Sequence, residues 1–197
     1  MTRLLRSATL WFVMVLALLA GVILLGAAAW LQPALDAQSA RDRGDADAAL
    51  TYYRAGEARV GRTPMSAQVF RAVGETIQAN QLRLLYQRSE HDELIEKAEA
   101  GAPTFESHFW TGCAFFQKAL AEHKNPDTRL GWFRRAEEEF RQALEANPED
   151  WDSKFNYELT RRLLTQMRKE PRLAPPELRK FLRPERDAQE RPTRRTG

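Results

Sequence analysis

Few residues of this chain carry side chains suited to catalysis. It has 197 residues, one cysteine (Cys113) and three histidines (His91, His108 and His123). A Cys–His nucleophile needs hydrogen-bond contact and a third orienting group. His108 and Cys113 are spaced to lie on different sides of one helix, so we predict that Cys113 is a small buried residue. HExxH, GxSxG, Walker A and GxGxxG motifs are absent from the sequence. We therefore predict a non-enzymatic protein with no catalytic residues and no cofactor.

Acidic residues cluster at Glu137–Glu139 and again at Glu149, Asp150 and Asp152. Calcium requires six to eight oxygen ligands that converge from a loop. Three successive glutamates on a helix diverge, and 147–152 lacks the glycine and the distal glutamate of an EF-hand. We predict a solvated helix face with helix caps and no metal site, and a weak divalent site remains the alternative.

The chain begins with a long apolar segment. Residues 8–30 span 23 positions without a charged side chain. A helix of that length measures about 35 Å, which exceeds the bilayer core of about 30 Å. We predict a cytoplasmic region at 1–7 and a transmembrane anchor at 8–30. A cleavable signal peptide with an A-x-A site at 27–29 is the alternative. Arg3 and Arg6 favour an exported body, which in a bacterium means a single-pass inner-membrane protein with a periplasmic domain.

The remainder has helical periodicity and no sustained strand alternation. Thr63-Pro64 predicts a helix start, followed by one buried stripe of Val69, Phe70, Val73 and Ile77. We predict a further helix over 132–146 that ends at Asn147-Pro148. In the last helix, Trp151, Phe155, Leu159 and Leu163 repeat every four residues, with Leu164 and Met167 alongside, and aromatic residues at helical spacing are mostly core. The fold class is therefore all-α, with a helical domain over 34–170.

Parts of this domain resemble tetratricopeptide repeats. Ala136-x3-Phe140, with Ala143 and Pro148 after it, fits the second helix of such a repeat, and Gly112-x2-Phe115 fits the first. The exit prolines are irregularly spaced, so we predict a degenerate repeat with an insertion around 121–132. The first repeat lacks a convincing first helix, because 33–43 is mostly polar.

The block RAEEEFRQALEANPEDWDSKFNYELTRRLL at 135–164, together with the anchor, resembles the MxaK family of small membrane proteins. Residues 82–103 give a second, shorter match. The resemblance implies a role in maturing a periplasmic methanol dehydrogenase, a calcium-containing quinoprotein. Similar tetratricopeptide proteins are found beside MoxR-type ATPases and von Willebrand A proteins. Similar blocks occur in that neighbourhood in organisms without this enzyme, so the client is open.

The segment 171–197 is rich in proline and arginine, and we predict a basic, disordered tail. A superhelix of helical hairpins presents a concave face to partners. We predict protein contacts on the first helices of hairpins, at Trp110, Lys154, Asn156 and Arg161, and no contact with nucleic acid.

These features predict a membrane-tethered helical-repeat scaffold that assists assembly or maturation of a periplasmic enzyme. Two alternatives remain at this stage: a calcium-delivery protein, which the acidic middle of the chain suggests, and a structural subunit of a membrane complex.

Overall fold

The structure is a computed structural model that describes residues 2–169, with side chains for 11–167. No strand occurs in this range, which confirms the predicted all-α fold class. The predicted tail, 171–197, and residue 170 of the predicted domain lie outside the described residues. The helices are α1 (Thr2–Asp42), α2 (Ala46–Val60), α3 (Pro64–Val69), α4 (Arg71–Gln87), α5 (His91–Ala100), α6 (Phe105–Ala121), α7 (Pro126–Ala146) and α8 (Trp151–Lys169).

Helix α1 is continuous over 41 residues. Among the described helices it is the one long and apolar enough to cross a membrane. The anchor predicted at 8–30 stays a prediction, whereas the expectation that the mostly polar segment 33–43 lacks a convincing first helix was wrong. The helix continues to Asp42, with Ala37 and Ala40 fully buried. The first hairpin therefore does have a first helix, which is the continuation of the apolar segment.

Proline inside a helix removes one backbone donor, and the carbonyl four residues earlier loses its usual partner. For Pro33 in α1 that carbonyl belongs to Ala29. The Nη1 group of Arg59, at the end of α2, donates to the Ala29 carbonyl oxygen at 2.9 Å. The guanidinium thus replaces the missing amide donor, which explains how α1 accommodates Pro33.

The chain divides into two compact units, 1–81 and 82–197, and the division falls within α4. In the first unit α1 packs against α2. Gly56 of α2 permits close contact, because a Cβ there would lie 3.2 Å from Cδ1 of Ile77 and 3.8 Å from Cβ of Pro33. Gly44 has a φ of +77° in the turn before α2, a conformation that glycine adopts without strain.

The second unit is built around the antiparallel hairpin of α6 and α7. The rings of Phe116 and Phe133 lie 5.2 Å apart, and those of Phe109 and Phe140 lie 6.3 Å apart. Ala136 is fully buried in α7. Gly112 of α6 lies directly against the ring of Phe140, as the small-residue pattern of a helical hairpin predicts.

Several predicted helix ends are confirmed and two segments differ. The hydroxyl of Thr63 accepts from the Ser66 amide and caps α3, as predicted. However, α3 ends at Val69 and a new helix starts at Arg71, so the predicted continuous stripe is broken and Val69 is 70% exposed. Helix α7 begins at Pro126, six residues before the predicted start, because the side chain of Asn125 caps it.

Candidate protein-binding surface on helix α8

The inward face of α8 is polar. Ser153, Asn156 and Thr160 are fully buried. The Asn156 amide nitrogen lies 4.0 Å from the sulfur of Cys113, and the Thr160 hydroxyl donates to the Asn156 backbone carbonyl at 2.7 Å. The side chain of Asp150 accepts from the Ser153 amide at 2.8 Å and caps the helix. Small polar residues therefore form the buried face in the first half of α8.

The aromatic residues of α8 consequently face outwards. Trp151 is 77% exposed and Phe155 is 44% exposed, one helical turn apart. The predicted buried stripe through Trp151 and Phe155 was therefore wrong, although Leu163 at its far end is buried. We define the α8 outer face by the residues at this angular position, which are Trp151, Lys154, Phe155, Glu158 and Arg162.

Charged groups border these rings. The ammonium group of Lys154 lies 5.3 Å from the centre of the Trp151 ring and 3.9 Å from the Glu149 carboxylate. Farther along the helix, Arg162 pairs with Glu158 at 2.9 Å. An open groove of about 370 Å³ adjoins this end, lined by Glu158, Arg161, Arg162, Thr165 and Gln166. The surface thus combines an apolar centre with a charged periphery, as protein interfaces do.

The four residues predicted to contact a partner fall into two groups. Lys154 is half-exposed on the α8 outer face, and Arg161 is exposed, with its guanidinium 3.8 Å from the Glu137 carboxylate. Their partner-binding role stays a prediction. Trp110 is buried, with its ring 5.3 Å from Tyr86 and 5.1 Å from Phe109, and Asn156 is fully buried. These two side chains pack the interior and are not accessible to a partner in this arrangement.

Sequence reasoning missed Trp151 and Phe155 as surface residues. A spacing of four marks one helix face without stating whether that face is buried. The informative signal was the opposite stripe of Ser153, Asn156 and Thr160. Its short side chains suit a helix that packs against α7, with Asn156 in contact with Cys113 of α6.

The three glutamates of α7 have three different partners. Glu137 lies near Arg161, Glu138 pairs with Arg141, and Glu139 contacts His108. Hydrogen bonds from Arg141 and Gln142 lower the pKa of Glu138 to about 2. The side chains diverge as the sequence predicted. Within the residues that the structure describes, no group of three or more His, Cys, Asp or Glu side chains is arranged to hold a metal ion.

A small cleft contains a contact between a histidine and a carboxylate. Nδ1 of His108 lies 2.8 Å from a carboxylate oxygen of Glu139, and both residues line a cleft of about 280 Å³. A carboxylate orients an imidazole for proton transfer, but nucleophilic catalysis also requires a hydroxyl or thiol in contact with the ring. Ser107 uses its hydroxyl to cap α6, and the buried Thr111 hydroxyl has no hydrogen-bond partner.

Cys113 does not supply the missing nucleophile. It is fully buried, and this burial raises the pKa of its thiol well above the usual range, which suppresses the reactive thiolate. The described contact of its sulfur is with Asn156 of α8. The structure agrees with the prediction that Cys113 is a small buried residue.

Comparison with known proteins adds no identification. No protein family, curated protein or solved structure matches this chain. The resemblance to the MxaK family and the methanol dehydrogenase client therefore stay predictions.

Proposed function

We propose that this protein is a membrane-tethered helical scaffold that binds a protein partner through the α8 outer face. In this proposal it assists the assembly or maturation of an enzyme on the exported side of the membrane. The MxaK resemblance suggests a periplasmic methanol dehydrogenase as the client, or MoxR-type ATPases and von Willebrand A proteins as companions. The observation that carries the proposal is the exposure of Trp151 and Phe155 on one face of α8.

Exposed aromatic pairs of this kind favour partner binding on physical grounds. Tryptophan and arginine dominate the residues whose truncation weakens protein interfaces most. Trp151 supplies a large rigid ring, and Phe155 extends the apolar surface by one turn. Lys154 and Arg162 add cations at the edge, where charge steers association and fixes orientation. An acidic surface with an apolar recess is the complementary partner.

The tether follows from α1. Its apolar part is long enough to cross a membrane, and the same helix continues into the first hairpin without a flexible linker. Arg3 and Arg6 precede the apolar part and favour export of the body. This arrangement would tether the protein to the membrane from which an exported client emerges after translocation.

The test is affinity capture of the tagged full-length chain from its own cells in mild detergent, with bound proteins identified by mass spectrometry. We expect an exported enzyme or its maturation proteins to be captured. In a Trp151→Ala/Phe155→Ala variant this capture should fall at least tenfold, which corresponds to about 1.4 kcal/mol of binding free energy.

The matched control is Tyr52→Ala, which removes an aromatic ring that is 39% exposed on α2. This variant should retain the partner. Equal capture by the α8 double variant, with unchanged helix content, would contradict the proposed binding face. Catalytic turnover by the purified full-length chain would contradict the scaffold function itself.

A further inference from the structure

A second apolar surface lies beside the membrane helix. In the short helix α3, Met65 is 76% exposed and Val69 is 70% exposed. Outside α1, the largest exposures of aliphatic side chains in the described structure are at these two positions. They lie one turn apart on the same face of α3. Exposing these two apolar side chains to water is unfavourable, so contact of this face with an apolar environment would lower the free energy.

The face of α3 continues into α1. An open groove of about 370 Å³ lies between the two helices, lined by Ile23, Gly26, Trp30, Met65, Val69 and Phe70 among others. The rings of Trp30 and Phe70 stack with their centres 6.0 Å apart and hold the segments together. The apolar surface is therefore continuous from the candidate membrane span to α3.

Hydrogen bonds hold the start of α3 in one conformation, so the direction of its exposed face is fixed. Thr63 and Ser66 form reciprocal side-chain and backbone hydrogen bonds at the start of α3. The hydroxyl of Ser66 also donates to the carbonyl of Val60 at 2.9 Å, which fixes the turn between α2 and α3. Met65 lies within this capped turn and is held outwards, so its exposure reflects a specified conformation.

Depth along α1 places α3 beside the membrane. Ile23 precedes Trp30 by seven residues, which is about 10 Å of helix rise. If 8–30 spans the bilayer, the contact with α3 lies within its outer third. Side chains such as Met65 at that depth meet acyl chains. Trp30, at the end of the apolar segment, is of the type that marks the membrane–water interface.

Cations border the same surface. Arg62 immediately precedes Thr63, and Arg71 immediately follows Phe70. The side chain of Arg71 is 80% exposed and pairs with Glu75 at 2.8 Å, which leaves Arg62 as the principal candidate for a headgroup contact. Arg59 donates to the Ala29 carbonyl of α1, so a guanidinium already lies at this level of the helix. Long arginine side chains place their charge at the headgroups while the stems remain in the apolar layer.

We propose that the α3 corner, residues 61–71, is an interfacial membrane contact. Met65 and Val69 enter the acyl-chain layer beside α1, and Arg62 and Arg71 bind the phosphate groups of anionic phospholipids. The inference rests on the membrane-tether part of the proposed function and is independent of the protein partner. Apolar residues with neighbouring arginines match the composition of known interfacial elements.

The test measures the depth of single labels on the full-length chain in phospholipid vesicles. Cys113 is the only cysteine and is fully buried, so a cysteine introduced by Met65→Cys is the accessible thiol. A fluorophore at position 65 should be quenched by lipids with a doxyl group near the headgroup. Thr51→Cys, on the exposed surface of α2, is the matched control and should remain unquenched.

A Leu19→Cys label separates this inference from the tether. Position 19 is the midpoint of 8–30, so this label is read with lipids whose doxyl group lies near the end of the acyl chain. Quenching at 19 and 65 but not at 51 supports the α3 corner as a membrane contact. Quenching at 19 alone would overturn it and leave the tether intact. No quenching at 19 would overturn both, because α1 would then lie outside the bilayer.

The contact between the arginines and the lipid headgroups is tested by the dependence of quenching on anionic lipid. Adding phosphatidylglycerol to phosphatidylcholine vesicles should increase quenching at position 65. Arg62→Gln should reduce that increase, whereas Arg43→Gln, which removes a cation from the turn before α2, should leave it unchanged. Insensitivity to phosphatidylglycerol, or equal effects of the two substitutions, would overturn the arginine–phosphate contact.

Discussion

Gly112 provides a sharp test of the helical hairpin. A Cβ at this position would lie 2.8 Å from Cδ1 and Cε1 of Phe140 and 3.1 Å from its Cζ. Phe140 is fully buried, so its ring cannot move into solvent. Overpacking of this kind costs about 1–3 kcal/mol. Replacing glycine by alanine within a helix returns about 1 kcal/mol through helix propensity. We expect Gly112→Ala to lower the free energy of unfolding by up to about 2 kcal/mol.

Gly131 is the matched control in the facing helix. A Cβ there meets no atom within 4 Å, so Gly131→Ala should raise the free energy of unfolding by about 1 kcal/mol through propensity alone. Because the propensity gain is common to both variants, the difference between them isolates the contact with Phe140. That difference should be about 1–3 kcal/mol.

The assay is urea unfolding of the full-length chain in mild detergent, followed by circular dichroism. The unfolding midpoint should fall for Gly112→Ala and rise for Gly131→Ala, with an unchanged slope. If both substitutions stabilise the protein equally, Gly112 is not in contact with Phe140, and the described packing of α6 on α7 is wrong.

Three further predictions concern local backbone and charge. Ser89 has a φ of 60°, so Ser89→Gly should raise the unfolding midpoint, by about 0.5–1 kcal/mol in free energy, and an unchanged midpoint would argue against strain there. Burial lowers the pKa of His91 from 6.5, so the unfolded state binds the proton more readily than the folded state. The stability that this difference contributes above pH 6.5 should be lost on acidification, and His91→Gln should remove this pH dependence in urea titrations. Arg59→Gln should destabilise the protein by about 1 kcal/mol. In a Pro33→Ala background the effect should be much smaller, because the Ala29 carbonyl then regains its helical donor. Additive effects in this double-mutant cycle would contradict the contact.

Local signals in the sequence were sufficient for most helix boundaries. Thr63-Pro64 and Asn147-Pro148 combine capping groups with proline, and both positions end or start helices as predicted. These signals depend on backbone groups within a few residues, so no tertiary information is needed to interpret them. The all-α fold class follows from the same kind of local evidence.

The continuation of α1 beyond Pro33 could not be predicted in this way. Proline in the interior of a helix normally ends or kinks it. Here the donor that compensates, Arg59, lies 30 residues from the acceptor Ala29, on another helix. A long-range contact of this type leaves no local pattern in the sequence.

The candidate site was predicted only in part. Lys154 and Arg161 lie on an accessible part of α8, and their contact with a partner stays a prediction, whereas Trp110 and Asn156 are interior residues. Trp151 was assigned to the core because large aromatic residues usually are buried. Helix α8 has two stripes that could face the interior. It packs against α7 with its smaller, more polar stripe inward, and Asn156 of that stripe contacts Cys113 of α6.

Site-specific photo-crosslinking in living cells tests directly whether the α8 outer face binds a protein partner. A photoreactive phenylalanine analogue at position 155 would probe the α8 outer face, and the same group at position 52 would probe an exposed aromatic position on α2. We expect a discrete adduct with an exported protein from position 155 and none from position 52. The absence of an adduct at 155, or the same adducts from both positions, would contradict a specific protein-binding surface on α8.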